Sequence, residues 1–140
     1  MMLLAINGGK MPTKGTVKSA GVDVYANETI IIKPNKVELV PLGIVLTDEL
    51  SQRIGEFFIG LYIRSSLAMK GLGLANSVGI IDADYKSCEI KMMLRNYNDE
   101  PYTVKRGDKI GQLILHKHHG HIFNIISTDV REAGFGSTGE

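Results

Sequence analysis

The sequence predicts an all-β protein, folded as a sandwich or a barrel. Its apolar residues fall in short runs rich in β-branched and aromatic side chains, and Gly, Pro and Asn residues separate these runs. A helical turn is expected only in DELSQRIGE, residues 48–56. No internal repeat, charge block or linker divides the 140 residues, so we expect one β domain.

The predicted strands follow one another along the chain. MMLLAI (1–6) is far too short to span a membrane and predicts a first strand. Residues 28–49 carry several short strands interrupted by Pro34, Asn35, Pro41 and Gly43. The later strands are predicted in GEFFIGLYI (55–63), EIKMMLRNYN (89–98), PYTVKRGDKIGQLILHKH (101–118, with a turn at Lys105–Asp108 and a longer strand from Lys109) and HIFNIIS (121–127).

Composition limits the classes of partner. Hydrophobic residues make up 44% and charged residues 22% of the chain, which is typical of a folded globular domain. The net charge of +1 gives no overall basic field, so we expect no nucleic-acid partner. The single cysteine, Cys88, fits a reducing compartment. No membrane span or secretion signal is recognisable, and we expect a soluble cytoplasmic protein without a membrane partner.

Two stretches place phosphate-binding side chains beside predicted strands. In LYIRSSLAMKG, Arg64 offers a planar fork of donors, and Ser65 and Ser66 add hydroxyls, a combination that suits phosphate oxygens. The alternative is a structural Arg64 that pairs with a carboxylate such as Asp23, which lies in the valine-rich strand SAGVDVYA. Asp23 itself could be a strand-edge charge. Gln112 interrupts an apolar strand and needs a partner, either a ligand phosphate or a backbone group.

NSVGIIDADYKSCEI (76–90) is the most unusual segment. Asp82 and Asp84 share one face if the segment is a strand, whereas a turn would separate them. A carboxylate held here could act as a general base on water, and Tyr85 offers a flat face for a sugar or a base. The alternative is a hairpin turn with solvated aspartates.

Two further stretches admit simple explanations. His116 and His118 of HKHHGH would share a strand face, but no carboxylate or cysteine completes a ligand set, so we expect no metal site there. The C-terminal VREAGFGSTGE (130–140) is either an unstructured tail or a flexible arm that closes over an anionic ligand. It lacks the spacing of a Walker A loop.

Five segments taken in order carry a family resemblance. AGVDVYA, RSSLAMKG, NSVGIIDADY, RGDKIGQLI and GFGSTG resemble the five motifs of the homotrimeric dUTPases, from about Ala20 to Gly139. The resemblance implies a jelly-roll-like β fold, a homotrimer, and three interface active sites that each use all three chains. It implies a β domain at 1–129 and an arm at 130–140 that closes over a neighbouring subunit's site. The implied reaction converts dUTP and water to dUMP and pyrophosphate, with Mg²⁺ on the triphosphate, which limits uracil incorporation into DNA and supplies dUMP for dTMP synthesis.

The same resemblance assigns expected roles to individual residues. Asp82 matches the aspartate that activates the attacking water, and Tyr85 matches the tyrosine whose packing on deoxyribose excludes a 2′-hydroxyl. The expected uracil-reading residues are Asn76, Gly79 and Ile81, partly through their backbone. Phosphate binding is expected from Arg64, Ser65, Ser66 and Gln112, while Asp23 matches a carboxylate near the water shell of the metal. In the arm, Phe135 matches the aromatic that stacks on uracil, and the residues expected to close on the γ-phosphate are Arg131, Gly136, Ser137 and Thr138.

The chain departs from the family pattern in three places, the first of which is a slightly short stretch between Arg64 and Asn76. Ser87 and Cys88 replace a single family glycine after Tyr85, and a bulge could absorb the extra residue. Arg131 stands one position closer to Phe135 than the family arginine does.

Two functions other than dUTP hydrolysis are possible for this superfamily and scaffold. A dCTP deaminase of the same superfamily would need a glutamate where Met93 stands, counted from Asn96. A nucleotide-dependent regulatory protein on the same scaffold usually carries an added segment or a degraded site, and this sequence contains neither.

Overall fold

A computed structural model describes residues 3–47 and 56–124, and this part of the chain is built almost entirely of strands. It contains eleven strands, one short α-helix and one turn of 3₁₀-helix. They are β1 (Leu3–Ala5), β2 (Gly21–Tyr25), β3 (Ile30–Ile32), β4 (Val37–Pro41), β5 (Ile44–Leu46), β6 (Phe57–Ile63), α1 (Ser65–Met69), β7 (Leu72–Leu74), β8 (Gly79–Ile81), β9 (Lys91–Asn96), β10 (Tyr102–Val104), β11 (Lys109–Lys117) and the 3₁₀ turn Gly120–Ile122. No helix of the described residues is long and apolar enough to span a membrane.

The strands form antiparallel sheets around one core. The largest sheet has the order β2-β11-β6-β8, and a second has the order β4-β9-β7. Two further pairs join β1 to β5 and β10 to β3. Leu61 and Leu113 of the first sheet and Val40, Met92 and Leu94 of the second belong to the same cluster of buried side chains. This shared core between sheets confirms the predicted all-β fold, a sandwich or a barrel.

The strand prediction for residues 101–118 is confirmed closely. The chain forms a short strand, a turn and then a nine-residue strand, as the sequence of 101–118 predicts. In the turn, the Asp108 N–H donates to the Lys105 carbonyl at 2.9 Å, and Asp108 Oδ2 accepts from the Lys105 N–H at 2.9 Å. Gly107 takes a positive φ of 92°, which glycine adopts without strain.

Two local predictions differ from the structure. The predicted strand HIFNIIS is wrong at its start, because Gly120–Ile122 form a 3₁₀ turn that begins three residues after β11 ends. Residues 125–127 lie outside the described residues, as does 48–55, most of the expected helical turn. The short helix α1 was not predicted, since five residues are too few to show a helical period.

A buried asparagine ties α1 to the second sheet. Asn96 is fully buried, and its Nδ2 donates to the carbonyls of Ile32 at 2.9 Å and Glu100 at 2.8 Å. Asn96 Oδ1 accepts from the backbone N–H of Asn98 at 2.9 Å and from its Nδ2 at 3.0 Å. Asn98 Nδ2 also donates to the carbonyl of Lys70 at 2.8 Å. The C-terminal end of α1 is therefore anchored to the core through Asn98.

Candidate functional site

Asp82 lies in a turn at the end of the edge strand β8. Strand β8 pairs with β6, with Ile81 opposite Ile59, so Asp82 follows at the Phe58 end of β6. The Tyr85 N–H donates to the Asp82 carbonyl at 3.0 Å and closes a turn, so Asp82 and Asp84 do not share a strand face. Both aspartates are half-buried, and Oδ1 of Asp84 is buried without a hydrogen-bond partner. The turn therefore holds carboxylates in a partly dehydrated position.

Tyr85 is held against the core beside this turn. Its half-buried ring packs on the hydrophobic cluster, and its hydroxyl donates to the Glu89 carbonyl at 3.5 Å. Next to it, Ser87 adopts a positive φ of 65°, and its N–H donates to the Leu46 carbonyl at 3.3 Å. The segment in which two residues replace the family glycine is thus accommodated by a left-handed serine.

The predicted base-reading residues lie in the loop before β8 and in β8 itself. Asn76 is exposed, and its carbonyl accepts from the Val78 N–H at 2.7 Å. Gly79 is buried against β6, where an added Cβ would lie 3.0 Å from Leu61 Cβ. The Ile81 side chain is also in the core, at 6% exposure. Gly79 and Ile81 can therefore face a ligand only through their backbone.

The edge position of β8 makes those backbone groups available. In the described part of the chain, β8 pairs on one side only, with β6. The outer edge of such a strand presents N–H and C=O groups with no ladder partner. A pyrimidine base with alternating donors and acceptors is a ligand that this edge could bind by hydrogen bonds.

The predicted phosphate-binding residues lie at the other end of β6. Arg64 follows β6, and its N–H donates to the Ile110 carbonyl at 3.2 Å, which fixes the start of α1 beside β11. Ser65 and Ser66 open α1 and are exposed. Arg64 and Ser66 line a common cavity of about 190 Å³. Ser65 lies at the same helix start.

Asp23 and Gln112 are brought together by strand pairing. They are directly opposite each other on β2 and β11, and Gln112 is in turn opposite Tyr62 on β6. Asp23 forms an ion pair with Lys109, whose Nζ lies 3.5 Å from Asp23 Oδ2. The alternative partner that the sequence suggested for Asp23, Arg64, is not the one that it contacts.

A register shift explains how Lys109 reaches Asp23. Between Lys109 and Gly111 the pairing with β2 slips by one residue, as a β-bulge produces. In a regular strand, residues three apart point to opposite faces, so Lys109 would face away from Gln112 and from Asp23 opposite it. No pattern in the sequence marks this contact, and sequence reasoning identifies neither Lys109 nor the cavity-lining Lys70.

The two halves of the predicted site are far apart within one chain. Asp82 lies at the Phe58 end of β6, whereas Arg64 lies six residues farther along that strand's direction. At the rise of an extended strand this separation is about 20 Å. Gln112 is also distant from Asp82, since it pairs with Tyr62, near the Arg64 end of β6. Within one chain, the candidate base Asp82 and the candidate phosphate-binding residues therefore cannot contact the same phosphate group.

Two histidines of the cluster, His116 and His118, pack against Phe58. His116 stacks on Phe58 with ring centroids 4.9 Å apart, and Nε2 of His116 lies 2.8 Å from the Tyr62 hydroxyl. Among residues 3–47 and 56–124, no group of three or more His, Cys, Asp or Glu side chains is placed to hold a metal ion. A Mg²⁺ ion bound mainly by substrate phosphates and waters would not need such a group.

The predicted arm residues Arg131, Phe135, Gly136, Ser137 and Thr138 lie outside the described residues. So does the predicted boundary between the 1–129 domain and the 130–140 arm.

Comparison with known proteins identifies the family. A family model described as dUTPase matches residues 7–139. The deoxyuridine 5′-triphosphate nucleotidohydrolase of Rickettsia typhi is 39% identical over 140 residues, covering 94% of this chain and 89% of that protein. That of Finegoldia magna is 37% identical, covering 92% and 91%.

Solved structures show the same fold. The crystal structure of dUTPase from Streptococcus mutans matches with a TM-score of 0.73 at 27% identity, covering 89% of this chain and 98% of that one. The native EIAV dUTPase matches with a TM-score of 0.70 at 23% identity, covering 93% and 100%, and supports the fold alone. The chain belongs to the dUTPase family.

Proposed function

We propose that this protein hydrolyses dUTP to dUMP and pyrophosphate, in active sites shared between the chains of a homotrimer. The observation that carries the proposal is the division of the site along β6. A carboxylate turn with an open strand edge lies at one end, and a cationic phosphate cavity lies at the other. About 20 Å separates the two halves within the chain. Association of chains would join the halves.

Asp82 is the proposed general base. A half-buried carboxylate held by a turn can orient a water molecule and accept its proton during in-line attack on the α-phosphorus. Phosphoryl transfer needs little covalent chemistry from the protein, so positioning and charge account for most of the catalysis. The Asp82 turn supplies the first of these, because its backbone is closed by the hydrogen bond from Tyr85.

The edge of β8 and the preceding loop are the proposed uracil site. Backbone donors and acceptors of Gly79 and Ile81, together with the Asn76 side chain, would satisfy uracil and leave cytosine with unmatched groups. The Tyr85 ring is packed on the core, which restrains its position and would leave little room for a 2′-hydroxyl on a bound sugar. This supports selectivity for deoxyribose by steric exclusion.

The other half of the site is the proposed phosphate grip. Arg64, Ser65, Ser66 and Gln112 present donors from the end of β6, the start of α1 and the middle of β11. Mg²⁺ would be bound mainly by the triphosphate, with Asp23 acting through its water shell, and would neutralise phosphate charge. Residues 130–140 would close over the bound nucleotide of a neighbouring chain, with Phe135 on the base and the polar residues on the γ-phosphate.

A nucleotide panel tests the proposal. Purified protein with Mg²⁺ is expected to release pyrophosphate from dUTP far faster than from dCTP, dTTP or UTP, and chelation of Mg²⁺ should abolish most of that activity. Comparable turnover of dCTP, or none of dUTP, would contradict the proposal. Release of ammonia from dCTP would instead favour the deaminase alternative.

A further inference from the structure

The cavity beside α1 contains more positive charge than its own carboxylate balances. Its volume is about 190 Å³, and Arg64, Lys70 and Lys109 all line it. Among the described residues that line it, Asp108 is the one acidic side chain. Oδ2 of Asp108 already accepts a hydrogen bond from the Lys105 N–H at 2.9 Å, within its own turn. The cavity therefore has the size and the charge to bind a small anion.

Lys109 is paired only weakly inside the protein. Its Nζ is 3.5 Å from Asp23 Oδ2, and the two side chains are 36% and 21% exposed. Ion pairs that are this open to water contribute little to stability, so the ammonium group can turn to a ligand at small cost. Lys109 therefore both contacts Asp23 and lines the cavity.

Lys70 has an exposed side chain on a fixed backbone. Its carbonyl accepts from Asn98 Nδ2 at 2.8 Å, and Asn98 is anchored by the buried Asn96. The backbone at the end of α1 is therefore held in place, while the lysine head is free to move towards the cavity. An ammonium group on such a stem presents three rotatable donors, which suits phosphate oxygens at varied positions.

We propose that Lys70 and Lys109 bind the β- and γ-phosphates of the nucleotide, as an extension of the grip formed by Arg64 and Ser66. This inference rests on the proposed function. Arg64 and Ser66 line the same cavity as the two lysines, so a polyphosphate bound by the first pair extends towards the second. The lysines add charge at the leaving pyrophosphate, where negative charge accumulates as the bond to the α-phosphorus breaks.

Calorimetric binding to three probes tests the assignment. The probes are the α,β-imido analogue of dUTP, inorganic pyrophosphate and dUMP, all at fixed Mg²⁺ and salt concentrations. Lys70→Met and Lys109→Met are each expected to weaken binding of the analogue and of pyrophosphate by about tenfold. Binding of dUMP should stay within about twofold of wild type, because dUMP lacks the two outer phosphates. Lys33→Met is the matched control, since Lys33 is exposed and lies outside the cavity.

The outcomes separate this inference from the proposed function. Wild-type protein that binds neither the analogue nor dUMP would contradict the proposed function itself. If wild-type protein binds the analogue and both lysine variants match Lys33→Met, the phosphate role of the lysines is wrong. An equal loss of dUMP binding would also overturn it, because that pattern indicates general damage to the site. Since the Lys70 side chain is exposed, Lys70→Met tests the inference without disturbing the Asp23 pair.

Discussion

Replacement of Asn96 by alanine should destabilise the protein more than removal of any exposed asparagine. Asn96 is fully buried and makes two hydrogen bonds as a donor, to the Ile32 and Glu100 carbonyls. It makes two more as an acceptor, from the backbone and side-chain amides of Asn98. The substitution removes all four hydrogen bonds at once. The Ile32 and Glu100 carbonyls and the two Asn98 amides then lose this partner.

The expected loss follows from these four contacts. Each polar group left buried without a partner costs about 1–3 kcal/mol. Only the Ile32 contact is fully buried, so water can replace part of the others. We therefore expect the free energy of unfolding to fall by about 3 kcal/mol. For a chain of this length, the melting temperature should fall by about 10 °C.

Differential scanning calorimetry measures this effect, with all samples at one protein concentration because assembly adds to stability. The control is Asn27→Ala, which removes one exposed hydrogen bond, from Asn27 Nδ2 to the Asn7 carbonyl at 3.0 Å. It should lower the free energy of unfolding by less than about 1 kcal/mol. An Asn96 variant that melts within about 2 °C of wild type would refute the reasoning.

Three further predictions test the site and its surroundings. Asp82→Asn should keep the affinity for the imido analogue of dUTP and lower kcat by about 10²–10⁴-fold in a pyrophosphate-release assay, because it removes the base; full activity would contradict that role. Ser87→Gly should raise the free energy of unfolding by about 0.5 kcal/mol in a denaturant titration, since glycine takes the φ of 65° without strain, and a lower value would count against it. Deletion of residues 135–140 should strongly reduce turnover without changing the melting temperature, whereas a fully active truncated protein would restore the interpretation of 130–140 as an inert tail.

The fold is predictable because its signal is local. Short β-branched runs and their turn residues indicate strands wherever the chain forms them, and the Lys105–Asp108 turn is an example. The two elements that the sequence does not predict are helices of about one turn each. Ser65–Met69 is too short for a helical pattern, and Gly120–Ile122 carries the apolar residues of a strand prediction but forms a 3₁₀ turn.

The composition of the site is predictable, but its arrangement is not. Residue type and motif order identify Asp82, Arg64 and Gln112 as candidate site residues. The distance between them depends on which strands pair and in what register, and pairing of β6 with both β8 and β11 is non-local. Lys109 reaches Asp23 through one irregular step in that pairing, and the sequence does not mark it.

Mixing two inactive variants is the most direct test of a site shared between chains. Asp82→Asn and Arg64→Ala each remove one half of the site, and the two halves are about 20 Å apart within a chain. In a homotrimer assembled at random from equal amounts of both, about a quarter of the interfaces would pair an intact Asp82 with an intact Arg64. Co-refolded protein is therefore expected to recover about a quarter of wild-type dUTP hydrolysis. A mixture no more active than the separate variants would contradict the shared site.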